Sequence, residues 1–331
     1  MPANLTPEYF KAERWLRQAT TNDEKILAVE RMLAVIPKHK GTDHMRAELR
    51  RKLSKLKEAG EQRAARGKQT DVFHIPKTGA VQIAMIGTPN SGKSSIVAAL
   101  TNAKVIVADF PFATSTPAPG MIQFEDIQIQ IIDTPPITAQ YSAPGQVGVY
   151  RNCDLIAIVV DLSAEIGEQV RCCLDYLESR NLLIDESASG GPAYDSNGRP
   201  LGKRAFYLGT KTDIAKPNAA ETIRGISSRK FNIYEVSVHT GQGTESLPAI
   251  LFKEAGIIRV YTKPPGKKPD MRAPFTLPVG STVLDLTNAI HKDLAEKFKA
   301  ARIWGTGVYD GQNAPRDHIL SDKDIVELHF G

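Results

Sequence analysis

Gly87-Thr88-Pro89-Asn90-Ser91-Gly92-Lys93-Ser94-Ser95 decides the reading of this chain. It follows the apolar run Val81-Gln82-Ile83-Ala84-Met85-Ile86, expected to be a buried strand, and precedes Ile96 to Leu100, expected to be helical. Strand, G-x-x-x-x-G-K-S and helix is a phosphate-binding P-loop in its required context. Gly87 and Gly92 let the backbone curl so that successive N–H groups point inward, and the helix N-terminus adds its positive end. Asn90, Ser91, Gly92, Lys93, Ser94 and Ser95 are therefore candidate phosphate contacts, with Lys93 as the point charge and Ser94 as a Mg²⁺-ligating hydroxyl.

Working outward from the loop, residues 71–256 alternate strand-like and helix-like segments, which predicts an α/β doubly wound sheet with its ligand at the carboxyl ends of the strands. Met121 to Phe124 and Ile127 to Ile132 read as a hairpin turning at Glu125-Asp126, and Leu155 to Val160 as a central strand covered on both faces. Asp133 ends one strand, where a carboxylate would complete a Mg²⁺ shell. Asp109 to Pro117 occupies the place of a loop that senses a γ-phosphate, with Thr114 as the metal-contacting hydroxyl and Thr116 second. Thr210-Lys211-Thr212-Asp213 follows another strand. Asp213 can accept from both N1–H and the exocyclic amine of guanine, whereas adenine has no N1–H and would leave the carboxylate partly unpaired. The Lys211 stem can cover the ring, and Ser237, Val238 and His239 supply backbone donors for the guanine O6.

Residues 1–70 read as helical throughout, with Thr6-Pro7-Glu8 as a start signal and an αα-hairpin formed across Pro37 to Gly41. Ala59 to Lys68 reads as a polar linker. Between Ile36 and Thr70 there are 11 Lys/Arg against 4 Asp/Glu, a local balance of +7 in a chain of net charge +5. Arg46, Arg50, Arg51, Lys52, Lys55 and Lys57 crowd one helix, which points to a polyanionic partner for this segment, a nucleic acid above all. From Ile257 the pattern changes to strand, loop, capped helix and further strands, a small α+β module over 257–331. The segment 185–202 is turn-rich and reads as an insertion. Three cysteines give no framework of bridges, no apolar run reaches membrane length, and Met1 to Thr6 lacks a leader pattern, so a cytoplasmic protein is expected.

In its motifs the chain resembles the developmentally regulated GTP-binding group of the Obg superfamily: Gly-Thr-Pro-Asn-Ser-Gly-Lys-Ser at 87–94, Asp-Phe-Pro-Phe-Ala-Thr at 109–114, and the basic hairpin before them. Ile258 to Pro264 and Ile290 to Leu294 resemble the TGS domain of that group, a ubiquitin-like β-grasp module. The resemblance implies GTP and GDP as ligands, Mg²⁺-dependent hydrolysis, and ribosome or rRNA as partner through the hairpin and TGS domain, with a protein partner left open. Asn90 resembles the P-loop asparagine by which related GTPases hold K⁺, giving Asn90, Lys93 and Thr114 catalytic parts. Three departures stand out: Thr210 replaces the usual Asn of the base motif, Pro136 replaces the switch glycine, and the 185–202 insertion is short. Ile137, where many GTPases carry a water-orienting Gln, can only pack. Three readings follow: a GTPase switch acting on the ribosome, a GTP-binding RNA adaptor with negligible turnover, and an ATP-dependent kinase, which Asp213 disfavours.

Overall fold

The computed structural model describes residues 6–19, 22–37, 40–66, 72–101, 116–184, 202–227, 229–291, 295 and 298–330. Three helices open the chain: α1 (Pro7–Gln18), α2 (Asn22–Val35) and α3 (Asp43–Arg66). Thr6 caps α1, its hydroxyl accepting from the Tyr9 amide at 3.3 Å. Tyr9, Ala12, Val29, Met32, Ile36 and Leu49 close into one seam. The basic hairpin is thus the second half of a three-helix unit, and α3 runs on through residues 59–66 rather than ending in a linker. Polarity misleads here, because Glu, Gln, Ala and Arg all favour helix and Gly60 alone opposes it.

The central sheet has strand order β2-β3-β1-β4-β5-β6, from β1 (Val81–Ile86), β2 (Ala118–Phe124), β3 (Ile127–Asp133), β4 (Leu155–Asp161), β5 (Arg204–Thr210) and β6 (Ile233–Glu235). The hairpin β2–β3 is antiparallel, with Gly120 opposite Ile131, and every other pairing is parallel. The carboxyl ends of β1, β3, β4, β5 and β6 therefore share one edge. Chain direction across the sheet reverses at β1, between β3 and β4, and a ligand crevice opens at such a switch point.

Alternating side chains feed two cores. Ala84, Ile86, Ile156, Ile158 and Val160 face α5 (Gln146–Asn152), α6 (Ile166–Ser179) and α7 (Ala219–Ile226). Ile83, Met85, Ala157, Val159, Phe206 and Leu208 face α4 (Lys93–Leu100) and α8 (Leu247–Ala255). Burial on both faces explains why β4 reads as an unbroken apolar run.

The C-terminal module is a five-stranded sheet in the order β10-β9-β11-β7-β8, from β7 (Ile257–Thr262), β8 (Phe275–Pro278), β9 (Phe298–Trp304), β10 (Gln312–Ala314) and β11 (Asp324–Phe330). Helix α9 (Val283–Ile290) lies on it behind a reciprocal cap: Thr282 Oγ1 accepts from the Asp285 amide, and Asp285 accepts from the Thr282 amide. Val283 and Leu286 pack on Ile258, Val260, Ile303, Val326 and Leu328.

Side-chain contacts among the described residues tie the outer units to the central one. Arg151 of α5 lies over the Trp15 ring at 5.5 Å. On the other side Arg259 of β7, 2% exposed, meets the β2–β3 turn: Nη1 donates to Glu125 at 2.5 Å and Asp126 at 2.8 Å, while Nε and Nη2 grip Asp322 at 3.1 and 2.7 Å. The guanidinium also lies 4.8 Å from the ring centre of Phe252, and Tyr261 donates its hydroxyl to Asp126.

Candidate functional site

The phosphate loop needs its glycines for reasons of space as well as curvature. A Cβ on Gly87 would stand 2.5 Å from Ser91 Oγ and 2.7 Å from the Val159 carbonyl. Gly92 has φ +91° and sits against Thr210. Between them Asn90 is exposed at φ 60°, a conformation asparagine tolerates better than most residues. Lys93 is buried, its ammonium donating to the carbonyls of Gly87 (3.0 Å) and Thr88 (2.9 Å) and to Ser91 Oγ (3.2 Å). Burial pushes Lys93 down to about 8, against the opposing pull of Asp133. Ser94 Oγ donates to Asp133 Oδ2 at 2.6 Å, joining the first turn of α4 to the end of β3. A hydroxyl and a carboxylate so placed are hard oxygens of the kind Mg²⁺ takes, one or two from protein and the rest from phosphate and water. The donor set fits that ion.

The base end of the site is bound to the phosphate end by the residue that departs from the usual motif. Thr210 is buried, and its hydroxyl donates to the Ser91 carbonyl at 2.8 Å and lies 3.3 Å from that of Val160. Threonine thus ties the loop after β5 to the P-loop. Asp213 accepts from Ser237 Oγ at 2.5 Å, and that hydrogen bond is the main reason its carboxyl titrates below the usual range. The Ser237 amide donates to the Gln242 carbonyl at 2.9 Å and is therefore engaged within its own loop, unlike the role expected of it from the sequence. Lys211, at φ 58°, reaches Asp161 Oδ2 with its ammonium at 2.6 Å.

The segment after Asp133 is built into the core. Residues 133–137 are buried, and Ile137 is fully so, in the packing role its side chain allows. Thr134 Oγ1 lies 2.5 Å from the Met85 carbonyl and 2.8 Å from Tyr150 Oη, while Gln146 Nε2 donates to the Pro135 carbonyl at 2.6 Å. The Ile137 amide donates to the Gly87 carbonyl at 3.1 Å. With Pro136 offering no N–H, the amide that follows points into the P-loop backbone. Neither nearby glycine is a simple substitute: Gly148 donates to the Gly145 carbonyl at 2.9 Å, and Gly145 packs on Phe73.

Asn90, Ser91, Gly92, Asp133, Thr210, Lys211, Asp213 and Ser237 to His239 belong to turns, loops or strand ends on the carboxyl edge of the sheet, and Lys93 and Ser94 begin α4 there. Thr114 lies outside the described residues, as does 185–201, whose flanks Leu183 and Lys203 pair in a β-bridge. Thr116 is exposed just before β2. Asp161 was missed, although it closes an apolar strand in the same way as Asp133.

Residues 82–185 match the 50S ribosome-binding GTPase family, and residues 258–329 match the TGS domain. The three-helix unit is therefore followed by a domain that matches a P-loop GTPase family and by one that matches the ubiquitin-like TGS domain. Across nearly its whole length it is similar to the developmentally regulated GTP-binding proteins, as its motifs imply. It is 26% identical over 366 residues to Developmentally-regulated G-protein 1 of Arabidopsis thaliana, covering 92% of this chain and 90% of the relative. It is 27% identical over 363 residues to the Developmentally-regulated GTP-binding protein 2 homolog of Dictyostelium discoideum, covering 92% and 98%. Among solved structures, the G domain of the T. maritima FeoB iron transporter covers 53% of this chain and 98% of its own, at 23% identity and TM-score 0.38. Among the described residues no helix is long and apolar enough to cross a membrane.

Proposed function

We propose that this GTP-binding protein hydrolyses GTP slowly, with Mg²⁺ and K⁺, and couples nucleotide state to contact with ribosomal RNA. The observation that carries the nucleotide half is the Thr210–Ser91 hydrogen bond, which holds Asp213 and the phosphate groups in one frame. Within that frame Lys93 neutralises the β- and γ-oxygens, Ser94 and Asp133 would hold Mg²⁺, and Asp213 selects guanine. Ser94 and Asp133 would hold Mg²⁺ when it binds, and its charge would supply electrostatic stabilisation of the negative charge that develops on the phosphates. Ile137 is buried and has no donor to orient water, so charge stabilisation must come from elsewhere. Asn90, exposed in the P-loop, is proposed as the side chain that shares a monovalent cation with the phosphates. Thr114 is proposed as the second hydroxyl on the metal.

The partner half rests on α3, where Arg50, Arg51, Lys52 and Lys55 are exposed, while Lys57 is paired with Glu30 at 3.1 Å. A row of this kind suits a phosphate backbone. A second reading, a GTP-binding RNA adaptor with negligible turnover, is favoured by the Ile137–Gly87 hydrogen bond, which directs the available amide away from a γ-phosphate. Initial hydrolysis rates for GTP and ATP, in KCl and in NaCl at equal ionic strength, with and without ribosomes, separate the readings. The switch requires faster GTP turnover in KCl, loss of that advantage in Asn90→Ala with GTP binding kept, and stimulation by ribosomes. Rates at background in every arm with GTP still bound would leave the adaptor.

A further inference from the structure

The buried acid at the end of β4, Asp161, has no part in the phosphate or base contacts described above, yet it holds a residue that does. Its Oδ2 takes the Lys211 ammonium at 2.6 Å, and its Oδ1 accepts from both the amide (2.8 Å) and the hydroxyl (2.6 Å) of Ser163. Its backbone is clamped too. The Asp161 amide donates to Gln169 Oε1 at 2.9 Å, and Gln169 Nε2 returns a bond to the Asp161 carbonyl at 3.0 Å. Leu162 donates to the Thr210 carbonyl at 3.1 Å, so the acid and the base loop cannot drift apart. Gln169 Oε1 also lies 3.4 Å from the Thr88 hydroxyl, linking the clamp to the P-loop.

We propose that Asp161 is a positioning residue of the guanine site: it holds Lys211 away from Asp213 and so keeps the selecting carboxylate open to the base. The inference rests on residues 210–213 forming the base site. Lys211 and Asp213 are two residues apart on one tight turn, within electrostatic reach of each other. Deprived of Asp161, the flexible lysine finds its remaining counter-charge in Asp213, the group that guanine must meet. The base then has to displace the ammonium, and the lysine stem is no longer fixed where it can cover the ring. Ordering a long side chain before binding removes part of the entropic cost of association.

The test is a binding cycle. Dissociation constants for a fluorescent GDP are measured on the full chain as wild type, Asp161→Asn, Lys211→Met and the double variant, with unfolding temperatures recorded without nucleotide. Asparagine keeps an acceptor for Ser163 while losing the charge. Asp161→Asn should weaken GDP by about three- to tenfold, from the ordering of one long side chain. Adding it to Lys211→Met should change nothing beyond about twofold, because the group it acts through is gone. Independent, multiplying losses would overturn the proposal, as would an Asp161→Asn variant that binds like wild type. Should Asp161→Asn not fold, Ser163→Ala carries the same test: it removes a bond that aims Asp161, and its smaller loss should vanish in the Lys211→Met background. Wild-type protein that bound neither GDP nor GTP would overturn the base-site reading itself, a separate and recognisable failure.

Discussion

Replacing Arg259 with alanine should loosen the TGS domain from the GTPase domain. Arg259 is almost fully buried and satisfies carboxylates from both sides of the junction: Asp322 within its own module, Glu125 and Asp126 on the β2–β3 turn. The variant would leave three acids together, with Lys323, 2.9 Å from Glu125, as the remaining cation in direct contact. Removing one partner of a buried ion pair costs about 3–5 kcal/mol. Asp322 is one-third exposed and the turn partly wet, so water can take up some of the loss, and about 2–3 kcal/mol is expected. With two tryptophans in the chain, Trp15→Phe leaves Trp304 as the reporter of TGS unfolding in urea. A double-mutant cycle of Arg259→Ala with Asp126→Ala should show coupling of about 1 kcal/mol or more. Acid supplies an independent check. Lys323 and then Arg259 hold Glu125 below its ordinary 4.5, while at Asp126 burial pushes upward but Tyr261 and Arg259 outweigh it, leaving the group below 3.8. Carboxylates lowered on folding contribute stability that is fully present above their unfolded values and lost as the pH falls through the folded ones. The gap between wild type and Arg259→Ala should therefore stay constant from about pH 8 to pH 5 and close below about pH 4. Coupling below about 0.3 kcal/mol, within the error of independent sites, would refute the reasoning.

Two further outcomes are expected. Burial pushes Lys93 down to about 8, and bound phosphates would raise it again, so GDP binding should take up a proton. The GDP dissociation constant should rise about tenfold from pH 7 to pH 9, and calorimetry in buffers of different ionisation heat should show that uptake; a flat profile would mean the lysine stays charged throughout. Neutralising Arg50, Arg51, Lys52 and Lys55 together should weaken ribosomal RNA binding and lower the slope of log affinity against log salt by about one per charge. Unchanged affinity at low salt would return α3 to a solvated face.

The parts of this molecule that were legible in the sequence are those where one residue type meets one physical need. Gly87 stands where a side chain would collide and Gly92 where the backbone takes a positive φ, Lys93-Ser94 begins a helix at a strand end, and Leu155 to Val160 is apolar because both faces of β4 are covered. Pairings between distant segments were not legible. Thr210 reads as a weakened asparagine until its bond to Ser91 is seen, 119 residues away in the chain. Arg259 reads as one more strand residue, and nothing local announces that Glu125 and Asp126 wait for it. Short or mixed strands also escaped: β10 has no alternation, and Lys299 to Arg302 of β9 leans toward helix until cross-strand pairing with β11 overrides it.

On the proposed function, the carboxylate of Asp213 reads guanine in a site whose two ends are joined through Thr210. Competition of GTP, ATP and xanthosine triphosphate against a fluorescent GDP, on wild type and Asp213→Asn, tests it most directly. The wild type should prefer GTP to ATP, since guanine offers Asp213 both an N1–H and an exocyclic amine while adenine has no N1–H. In Asp213→Asn the preference should pass to the xanthine nucleotide, whose C2 carbonyl accepts from an amide. Equal binding of ATP and GTP by the wild type, or an Asp213→Asn variant that still prefers GTP, would contradict the account.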